Sequence, residues 1–187
     1  MAQKRNLTKE KIIKAAFILA DEIGINQLTF PKLAEKLDIK YPSLYNHFNN
    51  MDDLKTEMTV SFLKELNLNL MQKLVGKSGS DAIIEFAYTY KKFAFENKTA
   101  YGLFMSIPNA ENEKVHSLVK EIGGIIRQIL AFYIKDQTYL IHKSRALRSM
   151  LHGFISLSFL NYFRNKADLD DSFNFMIEDF IFSFSRE

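Results

Sequence analysis

Between Lys40 and Phe48 the chain presents Lys40, Tyr41, Ser43, Tyr45, Asn46 and His47, with Leu44 and Phe48 set among them. Ammonium, hydroxyl, amide and imidazole groups of this kind bind phosphate oxygens and match the donor–acceptor pattern on base edges. Leu44 and Phe48 are spaced to share one face of a short helix, which leaves the polar side chains facing outward. The chemistry offered is recognition rather than bond-making.

The residues in front of this run supply its support. Phe30, Leu33, Ala34 and Leu37 recur at helical spacing, Thr29 is a candidate cap, and Pro31 falls in the first turn, where a missing N–H is harmless. Asp38 lies where the chain must turn and tolerates the left-handed conformation, and Pro42 restarts a helix. The pattern predicts a helix-turn-helix. Ahead of it, Ile12, Ile13, Ala16, Phe17, Leu19, Ala20 and Ile23 predict a helix from about Thr8, its cap, to a stop at Gly24.

Catalytic chemistry finds no foothold in the sequence. His116, His142 and His152 are dispersed, with no pair at the spacing His-x-x-x-His. Asp170-Asp171 and Glu178-Asp179 fit a helix start and a solvated face, and Gly76-Lys-Ser-Gly-Ser80 is a flexible break without the earlier glycine of a phosphate loop. No catalytic residue, metal site or cofactor is expected. There are no cysteines, which fits a reducing compartment, and 17 Phe with no Trp predict an aromatic core. Met1–Asn6 has no hydrophobic leader, and Leu151–Phe163 is too short and polar to span a bilayer, so a cytoplasmic location without a membrane partner is expected. Residues 1–50 hold eight Lys/Arg and five Asp/Glu, whereas 51–187 hold 17 of each. The whole positive excess lies on the segment that carries the recognition residues, as phosphate binding requires.

Beyond it the patterning stays helical, with no bounded alternation of the strand type. Helices are predicted over about 51–75, where Asp52 and Asp53 suit the N-terminus, 81–97, 99–105 (stopping before Ile107-Pro108), 112–134, 137–165 and 170–184. The fold class is all-α, with about nine helices. Residues 1–50 form a three-helix head and 51–187 a body for ligand binding and dimerisation. In the last helix Leu169, Phe173, Met176, Phe180 and Phe184 make one stripe, while Phe175, Ile177, Ile181 and Phe182 spread beyond it. With the small residues Ser149, Gly153, Ser156 and Ser158 of the preceding helix, this surplus predicts a second packing partner, either the same helices of a second copy or the rest of the chain's own body. Phe62, Leu66, Tyr88, Phe93, Phe104, Met105, Arg127 and His152 are the aromatic, soft or isolated polar residues expected on inward faces, where they would line a small-molecule cavity.

Two motifs point further. Thr29-x-x-x-Leu33-Ala34-x-x-Leu37 followed by Leu44-Tyr45-x-His47-Phe48, behind an amphipathic helix, resembles the DNA-binding domain of TetR-family regulators over roughly residues 8–55. Arg145–Leu157, with its His152-Gly153 pair, together with Tyr90–Asn97 and Tyr101–Met105, resembles a TetR C-terminal subfamily. The resemblance implies a homodimeric repressor on a near-palindromic double-stranded operator, released by an unidentified small molecule. Under it Tyr45 and His47 hold phosphates with help from Thr29 and Ser43, and Lys32, Lys40, Tyr41 and Asn46 reach bases. Many members carry Arg or Lys where Pro31 stands and Lys where Met51 stands, which leaves Lys55 and the backbone N–H groups of 51–53 to hold phosphate. Asp38 replaces the usual turn glycine. The alternative is a helical ligand- or protein-binding module whose head does not use DNA.

Overall fold

The computed structural model describes residues 7–107 and 112–184, so Met1–Asn6 and the stop expected at Pro108 lie outside the described residues. Its helices are α1 (Lys9–Ile23), α2 (Phe30–Leu37), α3 (Met51–Leu74), α4 (Gly79–Glu96), α5 (Lys98–Ser106), α6 (Glu113–Leu130), α7 (Gln137–Phe159) and α8 (Leu169–Phe182). Two 3-10 helices, Ile25–Gln27 and Tyr41–Asn46, join them, and no strand occurs among the described residues. The all-α class is as expected. No described helix is long and apolar enough to cross a membrane.

The chain divides into two compact units. The described residues of 1–64 and 99–116 form the first, and those of 65–98 and 117–187 form the second. In the first, Thr8 caps α1, its Oγ1 accepting from Lys11 N at 3.3 Å, and Gly24 ends it at φ 86°. α2 ends at Asp38, whose φ of 54° lets Ile39 N–H reach back to Ala34 O at 3.0 Å. That six-to-one bond satisfies a terminal carbonyl and makes the sharp turn of the motif. The segment after the turn is a 3-10 helix rather than the α-helix that the spacing predicts. Ser43 N bonds Lys40 O and His47 N bonds Leu44 O, each at 2.9 Å. Six residues opening on Tyr41-Pro42 allow few i→i+4 bonds, and short runs settle into the tighter form. Its inward side chains still arrive where expected. Leu44 and Phe48 join Ile12, Ala16, Leu28, Phe30, Leu33, Leu54, Met58 and Leu103 in one buried cluster. At the start of α3, Asn50 Oδ1 accepts from Asp53 N at 2.8 Å while Asp53 Oδ2 accepts from Asn49 N at 2.9 Å, a reciprocal cap.

In the second unit α4 packs against α7 and α8. Ile83, Phe86, Tyr90 and Phe93 of α4, Leu147, Leu151, Phe154 and Ile155 of α7, and Phe173, Ile177 and Phe180 of α8 are buried. The stripe of α8 therefore differs from expectation, because Leu169 is exposed and Ile177 takes an inward place. α7 ends at Phe159, short of the predicted Asn165. Asn161 adopts φ 55°, and Tyr162 N returns to Leu157 O at 3.0 Å, closing the helix with a six-to-one bond. α6 likewise stops at Leu130, before the predicted Ile134. Asp136 and Asp168 cap α7 and α8 through their carboxylates. Lys91 pairs with Asp170 and lies 4.4 Å from the Phe173 ring centroid, tying α4 to α8.

Candidate nucleic-acid interface

The recognition residues are mounted on the buried cluster of the first unit. Leu44 and Phe48 are fully buried beneath them, and the Tyr45 ring stands edge-on to buried Phe30 at 5.0 Å. Tyr41 meets Tyr45 edge-on at 6.3 Å. These contacts stiffen two large side chains that are still 51% and 54% exposed. Lys40 and Asn46 are exposed, and Ser43 and His47 are half-buried. A rigid base under exposed donors is what pre-organises a polar contact.

The supporting residues divide. Thr29 occupies the cap position of α2 at φ −138°, but its side chain makes no capping hydrogen bond, contrary to the expectation. Pro31 has no N–H to offer, so the Lys32 N–H is the one remaining donor for such a cap, and Thr29 does not accept from it. Thr29 is exposed on the surface that also carries Lys32, whose Nζ donates to Gln27 Oε1 at 3.5 Å. Lys55 is half-buried, and of the backbone donors at 51–53, the Asp53 N–H is already given to Asn50.

Folding brings up a neighbourhood that spacing alone did not show. The first turn of α1 sits beside the recognition segment, with Lys9 Nζ over the Phe48 ring at 5.4 Å. Glu10 holds its carboxylate below the usual range, chiefly through a backbone hydrogen bond and the Thr8 hydroxyl, with a smaller electrostatic contribution from His47. Lys9 is thus a further cation on this surface.

The eight residues expected to line a cavity are shared between the two units. In the first unit Phe62 and Phe104 lie 6.1 Å apart with Tyr101 beside both, but Met105 is 47% exposed. α5 buries Ala100, Tyr101, Leu103 and Phe104, and Met105 falls off that face. In the second unit Leu66 and Phe93 are buried, and Tyr88 meets Phe173 edge-on at 5.3 Å. Arg127 is exposed, one residue past buried Ile126, so it too misses the inward face. The surface grooves of this unit include two of similar size. One of about 620 Å³ is bordered by Tyr88, Lys91, Phe95, Phe154 and Asp170, and one of about 580 Å³ by Met71, Val75, Ile129 and Phe132. Tyr88 is the one predicted cavity residue that borders either of these two grooves.

His152 is half-buried against Tyr90, with its Nε2 3.3 Å from the tyrosine oxygen. Burial, reinforced by the charge of Arg148, lowers its pKa from 6.5 to about 4. Between those values the unfolded chain takes up a proton that the folded one refuses. The stability that this site contributes is therefore complete above pH 6.5 and is lost as pH falls toward 4, at most about 3 kcal/mol in all. His152→Gln is expected to flatten the acid limb of urea unfolding between pH 6.5 and 4.5.

Comparison with known proteins places both parts of the chain. Residues 12–58 match the family model described as "Bacterial regulatory proteins, tetR family". Residues 83–180 match "Tetracyclin repressor-like, C-terminal domain". A Bacillus subtilis (strain 168) protein named as the uncharacterized HTH-type transcriptional regulator YobS is 29% identical over 183 residues, covering 97% of this chain and 94% of its own. Among solved structures, a Rhodococcus sp. RHA1 protein of unknown function aligns at TM-score 0.82 and 14% identity over 98% of each chain. TetR from Acinetobacter baumannii AYE aligns at TM-score 0.72 and 21% identity, covering 97% of this chain and 98% of its own. At such identities the structural likenesses speak for the fold alone. The family models and the full-length relative go further: the chain belongs to the TetR family and is a ligand-responsive DNA-binding transcriptional regulator.

Proposed function

We propose that the chain is a dimeric repressor that binds a near-palindromic operator through the 40–47 surface and leaves it when a small molecule occupies the body. In this reading residues 1–50 read DNA and 51–187 hold the effector and the partner subunit, and the protein works in the cytoplasm without catalysis. The carrying observation is exposed Tyr45 braced on buried Phe30, with exposed Tyr41 against it and Asn46 and His47 alongside. Tyr45 and His47, assisted by Thr29 and Ser43, hold phosphates and fix the register. Lys32, Lys40, Tyr41 and Asn46 face base edges, and Lys55 adds phosphate contact. Phosphate contacts act on every sequence, whereas an amide can pair two-pronged with adenine.

One recognition segment covers few base pairs, so a second copy is required for specificity. The surface for it is supplied by α7 and α8. Phe175 and Phe182 of α8 are 73% and 57% exposed, two turns apart on one face. On α7 Ser149, Gly153 and Ser156 line a face of small residues that continues to exposed Leu157 and Leu160, and a Cβ at Gly153 would meet nothing within 4 Å. Aromatic knobs set against small residues suit a four-helix interface between two copies. An effector that prefers one of two dimer geometries shifts operator affinity by its differential affinity for them.

The test is a salt-dependent shift assay on operator duplexes. Tyr45→Ala is expected to weaken binding to all duplexes alike, and Asn46→Ala to relax preference at one base pair, each by about 1–3 kcal/mol. Equal losses on every operator variant for both substitutions would contradict the assignment. Retained ligand binding without any DNA shift would favour the non-DNA module.

A further inference from the structure

Four polar side chains are buried among the described residues, and three of them are satisfied within their own helix. Thr59 donates to Lys55 O at 3.1 Å, Thr89 to Glu85 Oε1 at 3.1 Å and Ser144 to Leu140 O at 2.7 Å. Asn67 is different. Only 4% exposed on α3, it reaches across to α6, where its Nδ2 donates to Leu118 O at 3.2 Å and to Glu121 Oε2 at 2.8 Å. Its Oδ1 is enclosed and accepts nothing.

Rotating the amide does not resolve this. The flip would set Oδ1 against a carbonyl and a carboxylate, both acceptors, and strand the two donors as well. The orientation is therefore fixed by α6, and the leftover atom can only accept. Leu66 and Leu70, its neighbours along α3, and Val119 and Ile122 on α6 are apolar and buried. A leucine at 67 would continue that surface without any polar cost. A buried acceptor left unpaired in such surroundings is costly, so a donor brought to it is rewarded with one strong contact.

We propose that Asn67 Oδ1 is the polar anchor of the effector site, and that the effector is a largely apolar molecule that presents a hydroxyl or N–H donor. This rests on the ligand-responsive reading above and narrows it: a donor-bearing effector gains one strong contact in the buried site, and an equally shaped molecule without the donor does not.

Indole and benzofuran test the claim, because they have nearly the same shape and differ by one N–H. Titrated calorimetrically into the full DNA-free chain, indole is expected to bind about tenfold more tightly than benzofuran. Asn67→Leu should erase that preference. If the variant does not fold, the crystal structure of the wild-type chain with indole serves instead, with the ring N–H expected within hydrogen-bond distance of Asn67 Oδ1. Equal wild-type affinities, no binding of either probe, a preference that survives in the leucine variant, or an enclosed water that stays on Oδ1 when indole binds would each overturn the proposal. Such results leave operator binding and its release by another molecule intact. Failure of the ligand-responsive reading would show instead as operator binding that no small molecule releases.

Discussion

Phe48→Ala is expected to lower the unfolding free energy by about 3–5 kcal/mol, the usual cost of deleting a buried aromatic ring. Phe48 is 1% exposed at the junction between the recognition segment and α3, in the cluster with Leu44, Leu54 and Met58. Its backbone N–H bonds Leu44 O at 3.0 Å, and Lys9 lies over its ring. Removing the ring therefore opens the floor under the exposed tyrosines as well as a cavity. Denaturant unfolding of the full chain measures the loss, and operator binding should fall with it. Tyr45→Ala makes the informative contrast, because it trims an exposed ring and should reduce affinity with little loss of stability. Comparable destabilisation by both would mean that the Tyr45 ring is structural, and its assignment to phosphate would fail.

Replacing Phe175 and Phe182 together by Glu is expected to leave each chain folded while abolishing the dimer. Both rings are more than half exposed in the single chain, so most of their surface is solvated there. In an interface the same positions would bury four carboxylates across the two copies, without cationic partners. Two linked recognition segments gain about 10²–10⁴-fold over one through effective concentration, and operator affinity should fall by that factor. Sedimentation should give the monomer mass and circular dichroism an unchanged helical content. A variant that stays dimeric and binds operator normally would move the interface to another face.

Much of this architecture was legible in the residues, for identifiable reasons. Thr8 with Gly24, and Asp52-Asp53 after Asn49-Asn50, are local signals whose effect depends on nearby backbone, and α1 and α3 begin and end within a residue or so of expectation. The left-handed Asp38 was likewise readable from side-chain type. Helix ends set by the chain's return on itself were not. The apolar pattern runs on past Phe159, and although Asn adopts the left-handed conformation as readily as Asp, that run conceals Asn161 as the stop. Thr29 stands at the cap position but makes no capping bond, which residue type alone did not reveal.

The site residues follow the same division. Lys40, Tyr41, Asn46 and Tyr45 are exposed because Leu44 and Phe48, at helical spacing, fix the opposite face. Met105 and Arg127 come out exposed because their helices choose a narrower inward stripe than the residue types indicate. Lys9 beside Phe48 and Asn67 across from Glu121 depend on contacts between distant segments, where periodicity carries no information. Asn67 in particular looks like an ordinary polar residue among leucines until the packing encloses it.

If two copies of the 40–47 surface enter the major groove together, selection of bound duplexes from a random pool should enrich a two-fold symmetric sequence. Its half-sites should lie about one helical turn apart, and Asn46→Ala should relax the same position in both halves. A pool that shows no enrichment, or an unsymmetric site bound equally well by Asn46→Ala and Tyr45→Ala, would contradict that paired entry.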